Sequence, residues 1–296
     1  MRSSYSVMVV LFLFLMISAA GCGGIPQGTR SPTPIVPTET LAPSSTFTPT
    51  LVPPTATPTT RPTATWIMQS SGQVTCPILL YHHVLDIEPP TSYYISPAEF
   101  ETEMNLLHDW GYTTIPISLL VQAITKGAAL PPRPVVITFD DNNEDNYTNA
   151  FPIMQRLGFS GVLYLISSRI GSKDYLNKTE ILQMVAAGWE VGDHSMSHPN
   201  LVNNPDLLWN EAVQSRLDLE AELNLPIDTF AYPFGVANES TMSKISKYGY
   251  KAAMGLGPST IQGPFNLFYL NRIPLDSSVD LKGFTAFLPW SGQIKK

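Results

Sequence analysis

Cysteine is nearly absent from this sequence, which has two cysteines, Cys22 and Cys76, in 296 residues. A chain with so few cysteines is not a disulfide-stabilised scaffold, so its folded part depends on an apolar core. Apolar residues make up 44% of the chain, which is enough to fill such a core. We expect Cys76 to be a small buried side chain near the first strand.

Basic residues are also scarce, with 17 Lys and Arg against 24 Asp and Glu and a formal net charge of -7. This balance argues against nucleic acid as a partner and against a polybasic membrane-binding surface. A neutral partner fits the charge better.

The N-terminal segment has an apolar run of about a dozen residues after Arg2, which is too short for a comfortable membrane span. Small residues follow the run, and this is the layout of a secretory signal. The ending Ala19-Ala20-Gly21-Cys22 resembles a bacterial lipoprotein processing site, which implies that Cys22 is lipidated and attached to a membrane. The alternative is an ordinary signal peptide cut nearby, with Cys22 incidental.

Residues 23–70 have few large apolar side chains. Between Pro26 and Thr65 there are ten prolines and thirteen threonines, with three charged residues. Such a stretch cannot offset its chain entropy by burial, and its prolines favour an extended backbone. We therefore predict a disordered linker that follows the signal segment 1–22 and holds a domain of residues 71–296 outside the cell, lipid-anchored or secreted.

From residue 76 onward, short apolar runs alternate with segments that carry helix signals. Ser96-Pro97-Ala98-Glu99 combines an N-cap serine, a proline at the first helical position and a capping glutamate. Gly161 to Ile166 is a continuous apolar run of the kind buried on both faces of a sheet. Strands that alternate with helices imply a parallel sheet. About seven such units predict an α/β fold, an irregular (β/α)7-type barrel with parallel strands.

Polar side chains follow directly after several predicted strands. Asp140 and Asp141 end the apolar run that begins at Val135, and His82 and His194 follow two other strands. The carboxyl ends of parallel barrel strands meet at one face, where active sites are built. Two adjacent carboxylates beside an apolar strand also need a cation or hydrogen-bond donors to stay ionised. The pair therefore predicts a partner.

Histidine is scarce as well. Of the five histidines, His194 and His198 lie four residues apart. A spacing of four would place both imidazoles on one side of a helical turn, as two ligands of one ion require. Together with one carboxylate, they would form a site with open positions for water. That arrangement is typical of a catalytic metal rather than a structural one.

Three motifs follow one another: Thr138-Phe139-Asp140-Asp141, then His194-Ser195-Met196-Ser197-His198, then Phe230-Ala231-Tyr232-Pro233-Phe234-Gly235. In this order they resemble the first three motifs of the polysaccharide deacetylases, the NodB-homology or carbohydrate esterase family 4 domains. Pro77 to His82 and Ser96 to Pro116 resemble the subgroup that contains the poly-N-acetylglucosamine deacetylases. The resemblance spans residues 77–275. It implies metal-dependent removal of N-acetyl groups from N-acetylglucosamine-containing polysaccharide at the cell surface.

The resemblance also implies a role for each matching position. Asp141, His194 and His198 match the metal-binding triad, for which zinc is usual in the family. Asp140 matches the catalytic base. His82 occupies the place of the general acid, because the subgroup carries that motif ahead of the first one.

The third motif implies the groups that hold the substrate. The main-chain N–H of Phe234, which follows Pro233, matches a donor to the oxyanion. The aromatic side chains of Tyr232 and Phe234 could line a sugar groove, although aromatic residues of this kind also form cores. We also assign Arg272 to the residues that bind the substrate.

Three positions raise questions. Asn142 stands where the family usually has glycine, and asparagine is among the few residues that tolerate a left-handed backbone. Ala231 replaces an arginine that steadies the base in many members. Arg272 could supply that charge from another strand, or it could form a surface salt bridge. Asp193, next to His194, could orient a metal ligand.

Two other functions stay open at this point. An O-acetyl esterase acting on a plant-type polysaccharide would share the machinery and differ in the leaving group. A surface carbohydrate-binding protein that has lost turnover is suggested by Asn142 and Ala231. The retained base and complete triad argue against the second alternative.

Overall fold

The computed structural model describes residues 65–88 and 91–294. The predictions for the signal segment, for Cys22 and for the linker up to residue 64 lie outside these residues. Over the ranges that are described, the helices are too short or too polar to cross a membrane.

The described residues form short strands and helices that alternate along the chain. The strands are β1 (Ile67–Gln69), β2 (Val74–Thr75), β3 (Ile78–Tyr81), β4 (His83–Val84), β5 (Tyr94–Ile95), β6 (Thr113–Thr114), β7 (Ala128–Leu130), β8 (Pro134–Asp140), β9 (Val162–Leu165), β10 (Glu190–Asp193), β11 (Thr229–Ala231), β12 (Ala252–Met254), β13 (Ile261–Gln262) and β14 (Ile273–Pro274). The α-helices are α1 (Pro97–Asp109), α2 (Ile117–Lys126), α3 (Phe151–Arg156), α4 (Lys178–Ala186), α5 (Ser215–Leu223), α6 (Glu239–Lys247) and α7 (Leu281–Ala286). Two π-helical turns, Asn146–Ala150 and Asn210–Gln214, lead into α3 and α5.

The central sheet is curled and all its pairings are parallel. Its strand order is β12-β11-β10-β9-β8-β3-β14, and β6 also pairs with β8. The two ends of this order approach each other, because Gly255 N donates to Leu270 O at 2.9 Å and Gly257 N donates to Arg272 O at 3.0 Å. The α/β fold with parallel strands is therefore confirmed.

The alternation of side chains along β8 directs one carboxylate into the interior of the curled sheet. Val135, Ile137 and Phe139 belong to the core that includes residues of α1, α3, α4 and α5, whereas Val136 belongs to the core that includes residues of α2. Successive strand residues point to opposite faces, so Asp140 follows Val136 on the interior side. All seven residues of β8 are buried, which explains the continuous apolar run that precedes the carboxylates.

Helix starts agree with the sequence where a cap is present and disagree where it is not. Ser96 and Glu99 form the expected capping box at the start of α1. Asn204-Pro205 also reads as a helix start, with a capping asparagine before a proline, but the chain becomes helical only at Leu208, ahead of the π-helical turn Asn210–Gln214. Upstream, the Asn200 side chain accepts hydrogen bonds from Val202 N and Asn203 N, a local turn that competes with helix formation.

The folded domain begins earlier than residue 71. β1 lies inside the stretch assigned to the linker and pairs antiparallel with β7, three residues against three. A strand this short leaves little signal in a sequence, so the boundary was placed too late. Cys76 is fully buried beside β3, as expected, and burial raises the pKa of its thiol.

A buried carboxyl group joins α1 to β3. Tyr81 Oη donates to Glu103 Oε2 at 2.7 Å, and both side chains are almost fully buried. Burial raises the pKa of Glu103 to about 8. The folded state therefore keeps a proton on Glu103 in a pH range where the unfolded chain has released it.

The free energy of unfolding is expected to fall as the pH rises from about 4.5 to about 8, because the unfolded state then binds fewer protons than the folded state. The slope for one group is at most about 1.4 kcal/mol per pH unit. Glu103→Gln removes this ionisation and keeps an acceptor for Tyr81. The free energy of unfolding of the variant should therefore rise relative to that of the wild type as the pH increases across this range. Urea unfolding at pH 5, 6.5 and 8 measures this, and parallel stability curves for the two proteins would contradict it.

Candidate active site

Asp140 and Arg272 form a buried ion pair at the carboxyl end of β8. Arg272 Nη1 lies 2.7 Å from Asp140 Oδ1, and Nη2 lies 2.7 Å from Oδ2, so the contact is bidentate. The side chains of Arg272 and Asp140 are 1% and 3% exposed. Burial raises the pKa of Asp140, but the charges of Arg272 and His194 outweigh burial, and the pKa lies below its usual range. Asp140 is therefore ionised at neutral pH.

The arginine answers one of the questions raised by the sequence. Arg272 supplies a charge to the base from the segment before β14, where Ala231 replaces the arginine of the third motif. Its guanidinium also lies 5.3 Å from the ring centroid of Tyr164. The surface salt bridge was therefore the wrong alternative. Placing Arg272 in the substrate-binding set was also wrong, because its buried guanidinium is engaged by Asp140.

Asp141, His194 and His198 come together beside this pair. His194 Nε2 lies 3.6 Å and His198 Nε2 lies 3.5 Å from the same oxygen, Asp141 Oδ1. His194 Nδ1 lies 2.8 Å from the carbonyl oxygen of Ala231, which can only accept a hydrogen bond. The proton of a neutral His194 is therefore on Nδ1, and the lone pair of Nε2 faces the two carboxylates, with Asp140 Oδ2 at 3.4 Å and Asp141 Oδ1 at 3.6 Å.

This cluster fits a divalent metal ion. One ligand atom from each of the three residues lies within 4.8 Å of the others. Two ligand atoms that each lie about 2.1 Å from one ion in tetrahedral geometry are about 3.4 Å apart. The nitrogens of His194 and His198 lie at similar distances, 3.6 and 3.5 Å, from Asp141 Oδ1. Asp141 Oδ1 is buried and has no hydrogen-bond partner among the described residues. Burial, followed by the charge of His194, lowers the pKa of His198 to about 4, so its imidazole is neutral at pH 7, as a ligand must be.

The two histidines are not brought together by a helical turn. Residues 194–198 form a loop in which Ser195 and His198 have positive φ values of 68° and 63°. The ring centroids of His194 and His198 are nevertheless 4.8 Å apart. The two imidazoles therefore come together as the spacing of four predicted, but the helical turn proposed for them was wrong.

Glu211 anchors this histidine loop from the π-helical turn before α5. Its carboxylate accepts hydrogen bonds from Ser197 N at 2.8 Å and Ser197 Oγ at 2.6 Å, and its carbonyl accepts from Met196 N at 3.1 Å. Glu211 is 5% exposed. π-helical turns often occur at functional sites. The sequence offered no signal for this contact, because Glu211 reads as an ordinary helix residue.

Left-handed backbone conformations concentrate at the site. Six of the eight non-glycine residues with positive φ among the described residues lie in the motifs or next to the site: Tyr93, Asp141, Asn142, Ser195, His198 and Phe234. Such conformations are strained and persist where the surrounding structure holds them, often at active sites. The turn after β8 has two of them in succession.

Asn142 keeps this turn without the glycine of the family. Its φ is 49°, it is fully buried, and its Oδ1 accepts a hydrogen bond from Ile166 N at 3.0 Å. Its carbonyl oxygen accepts from Leu176 N at 2.8 Å. The expectation that asparagine preserves the turn is confirmed, and its side chain adds a contact that glycine could not make.

His82 lies directly after β3, near the two aspartates. Burial lowers the pKa of His82, while the carboxylates of Asp140 and Asp141 oppose that shift and stabilise the protonated form. Its carbonyl oxygen accepts a hydrogen bond from Asn146 Nδ2 at 2.7 Å. The structure thus places His82 within the electrostatic field of the base.

Asp145 holds the segment that follows His82. Its carboxylate lies 2.6 Å from His83 Nδ1 and accepts a hydrogen bond from Val84 N at 2.8 Å. The ring of His83 also stacks on Tyr94 at 4.1 Å between centroids. Sequence reasoning did not give Asp145 this role, although the polar run after Asp141 was its signal.

Of the three residues of the third motif that were assigned to substrate binding, one is exposed and two are buried. The ring of Phe234 is exposed and lies 4.5 Å from that of His198, edge to face. Tyr232 is fully buried, and its hydroxyl donates to the carbonyl of Phe268 at 3.0 Å. Tyr232 is therefore a core residue and does not line a groove. Pro233 is also buried, directly before Phe234.

Asp193 does not orient His194. Its carboxylate accepts hydrogen bonds from the hydroxyls of Tyr250 and Ser215. Burial raises its pKa to about 7. The carbonyl of Ala231 takes the orienting role instead.

The fold and the site together define a hydrolase, with an ionised carboxylate to accept a proton beside a cluster of metal-type ligands. Residues 127–253 match the family model described as polysaccharide deacetylase. This match contains all three motifs, so the part of the chain that holds the site is similar to the polysaccharide deacetylases of the NodB, or carbohydrate esterase family 4, type, as the motifs indicated.

Individual relatives agree with this family. A poly-beta-1,6-N-acetyl-D-glucosamine N-deacetylase from Staphylococcus aureus is 29% identical over 199 residues, which is 62% of this chain and 68% of that protein. The crystal structure of a polysaccharide deacetylase from Bacillus cereus is 27% identical, covers 73% of this chain and 69% of its own, and superposes with a TM-score of 0.64. A Streptococcus pyogenes deacetylase in complex with acetate shares the fold, with a TM-score of 0.66 at 24% identity over 76% of this chain and 99% of its own.

Proposed function

We propose that this protein is a zinc-dependent deacetylase that removes N-acetyl groups from N-acetylglucosamine-containing polysaccharide at the outer face of a cell envelope. The observation that carries the proposal is the bidentate Asp140–Arg272 pair next to the Asp141 cluster. It supplies a carboxylate that stays ionised in a buried position, close to three residues able to hold an ion. A protein that only binds carbohydrate has no need of this costly arrangement.

The residues meet the requirements of amide hydrolysis. Cleavage of an acetamide needs an activated nucleophile, a stabilised oxyanion and a proton for the departing nitrogen. A divalent ion held by Asp141, His194 and His198 would supply Lewis acidity and lower the pKa of the attacking water. Asp140, kept ionised by Arg272, accepts the proton of that water. His82 delivers a proton to the nitrogen, and the Phe234 N–H donates to the oxyanion.

The substrate and the location rest on several separate observations. The Staphylococcus aureus relative carries the name of a poly-beta-1,6-N-acetyl-D-glucosamine N-deacetylase, which supports an N-acetylated polymer. The net charge of -7 suits a neutral chain. Lipidation of Cys22 and the proline- and threonine-rich linker would hold the domain outside the membrane, where such polymers occur. Two histidines with one carboxylate are a donor set that catalytic zinc uses.

Acetate release tests the proposal. The full chain, loaded with zinc, is incubated side by side with chitin oligomers, poly-N-acetylglucosamine, peptidoglycan and O-acetylated xylan. We expect acetate from one or more N-acetylated polymers, loss of the activity with a chelator, and recovery when zinc is added back. Asp141→Ala serves as the matched control for metal-dependent turnover.

The alternatives give different results in the same experiment. Acetate released from xylan in preference to the N-acetylated polymers would identify an O-acetyl esterase. No acetate at any metal loading, with the polymer still bound, would identify a carbohydrate-binding protein and overturn the proposal.

A further inference from the structure

Two exposed aromatic side chains contact two histidines of the proposed site. The ring of Tyr93 is 4.8 Å from that of His82, and the ring of Phe234 is 4.5 Å from that of His198, both edge to face. Tyr93 is 56% exposed and Phe234 is 55% exposed. Each ring therefore adjoins a different histidine of the site. The third motif pointed to Phe234, whereas no motif points to Tyr93.

The position of Tyr93 is fixed by its backbone. Its φ of 75° is a left-handed backbone conformation that residues other than glycine rarely adopt. The Tyr93 carbonyl accepts a hydrogen bond from His83 N at 2.9 Å, and its N–H donates to Asp276 Oδ2 at 3.4 Å. The next residue is held too, because Ser277 N donates to the carbonyl of Tyr94 at 2.8 Å. A strained, exposed aromatic residue is therefore held against His82 by contacts from β4 and from the segment at Asp276 and Ser277.

Packing alone does not account for this arrangement. Large aromatic side chains are stabilised by burial, and an exposed ring on a strained backbone contributes little to folding. The flat faces of pyranose rings carry C–H groups that pack on aromatic rings, and a tyrosine also offers a hydroxyl to a sugar. Phe234 has the same two features, a positive φ and an exposed ring, and it adjoins His198.

We propose that Tyr93 is a substrate-binding residue, which packs against a sugar unit on the His82 side of the site as Phe234 does on the His198 side. The inference rests on the proposed function. A polymer that contacts both rings has to extend across the reacting groups, so the site selects an oligosaccharide over a single N-acetylglucosamine.

Kinetics on a five-sugar N-acetylglucosamine oligomer test the proposal. Tyr93→Gly removes the ring and suits the positive φ, so the fold is kept. We expect its KM for the oligomer to rise roughly tenfold, with kcat changed less than about threefold. Tyr93→Phe keeps the ring and should restore most of the affinity. Phe265→Ala is the matched control, because Phe265 is an exposed aromatic residue near Gly263 and Gln73, away from the site.

Binding without turnover separates this inference from the proposed function. In the Asp140→Asn background, calorimetric titration with the same oligomer should show a similar loss of affinity for Tyr93→Gly and no loss for Phe265→Ala. An unchanged KM and an unchanged affinity in Tyr93→Gly would overturn the inference while the enzyme remains active. A fall in kcat at constant KM would also overturn it, because Tyr93 would then act by positioning His82. If the wild type releases no acetate and binds no oligomer, both the proposed function and the role of Tyr93 are wrong.

Discussion

Asp141→Ala is expected to lose the bound metal ion, whereas Asp140→Asn is expected to keep the ion and lose turnover. The two residues are neighbours in the sequence and both lie near His194 Nε2, which is 3.4 Å from Asp140 Oδ2 and 3.6 Å from Asp141 Oδ1, but their other contacts differ. Asp141 Oδ1 faces both histidine nitrogens and has no hydrogen-bond partner within the described part of the chain. Both oxygens of Asp140 are occupied by the guanidinium of Arg272.

The expected effects are large in both cases. Removing one of three protein ligands leaves two histidines, which bind a divalent ion far more weakly than the full set. Replacing a general base typically lowers the rate by about 10²- to 10⁴-fold. Metal content after dialysis against a chelator, measured together with acetate release, distinguishes the two variants.

Folding is measured as a control, because a destabilised variant also loses activity. Asp140→Asn leaves the buried charge of Arg272 without its anion, which costs stability. Thermal unfolding of each variant therefore accompanies the metal assay, and activity is expressed per folded molecule. If both variants retained zinc like the wild type, the division of roles between the two aspartates would be wrong.

The sequence predicted the parts of the site that lie at strand ends. A continuous apolar run fixes β8, and the residues that follow a buried parallel strand must lie at its carboxyl end. Asp140, Asp141, His82 and His194 could be placed together for this reason, without any knowledge of how the strands are ordered. The capping box at Ser96 likewise has a local cause and was placed correctly.

Other parts could not be predicted, because they depend on the register of strands far apart in sequence. β14 pairs with β3, and β3 pairs with β8, so a side chain 132 residues away from Asp140 becomes its partner. The contact of Glu211 with Ser197 depends in the same way on where the π-helical turn packs. The prediction that Tyr232 lines a groove was wrong, because Tyr232 is fully buried. The alternation of side chains along a strand shows which residues share a face, but it does not show which face is packed against the core.

Arg272→Met is expected to destabilise the protein and to shift the acid limb of its pH–rate profile to higher pH. In the wild type, Arg272 offsets the effect of burial on Asp140 and holds the pKa of that carboxyl below its usual range. Without the guanidinium, burial favours the protonated carboxyl, which cannot accept a proton from water. Activity should therefore be lost first at low pH and recover partly as the pH rises.

The stability cost follows from the burial of the pair. Breaking a buried ion pair by removing one partner typically costs about 3–5 kcal/mol. Removing both partners should cost less than the sum of the two single changes, because neither charge is then left unpaired. A double-mutant cycle of Arg272→Met with Asp140→Asn, measured by urea unfolding, gives this coupling energy.

Arg272→Lys separates the charge of the arginine from its geometry. A lysine keeps the positive charge but cannot contact both carboxylate oxygens as the planar guanidinium does. Its pH profile should therefore lie between those of the wild type and Arg272→Met. A wild-type profile in Arg272→Met, with less folded protein, would mean that the arginine only stabilises the fold. A shifted profile that lysine partly restores would show that an arginine from the segment before β14 does the work of the one replaced by Ala231.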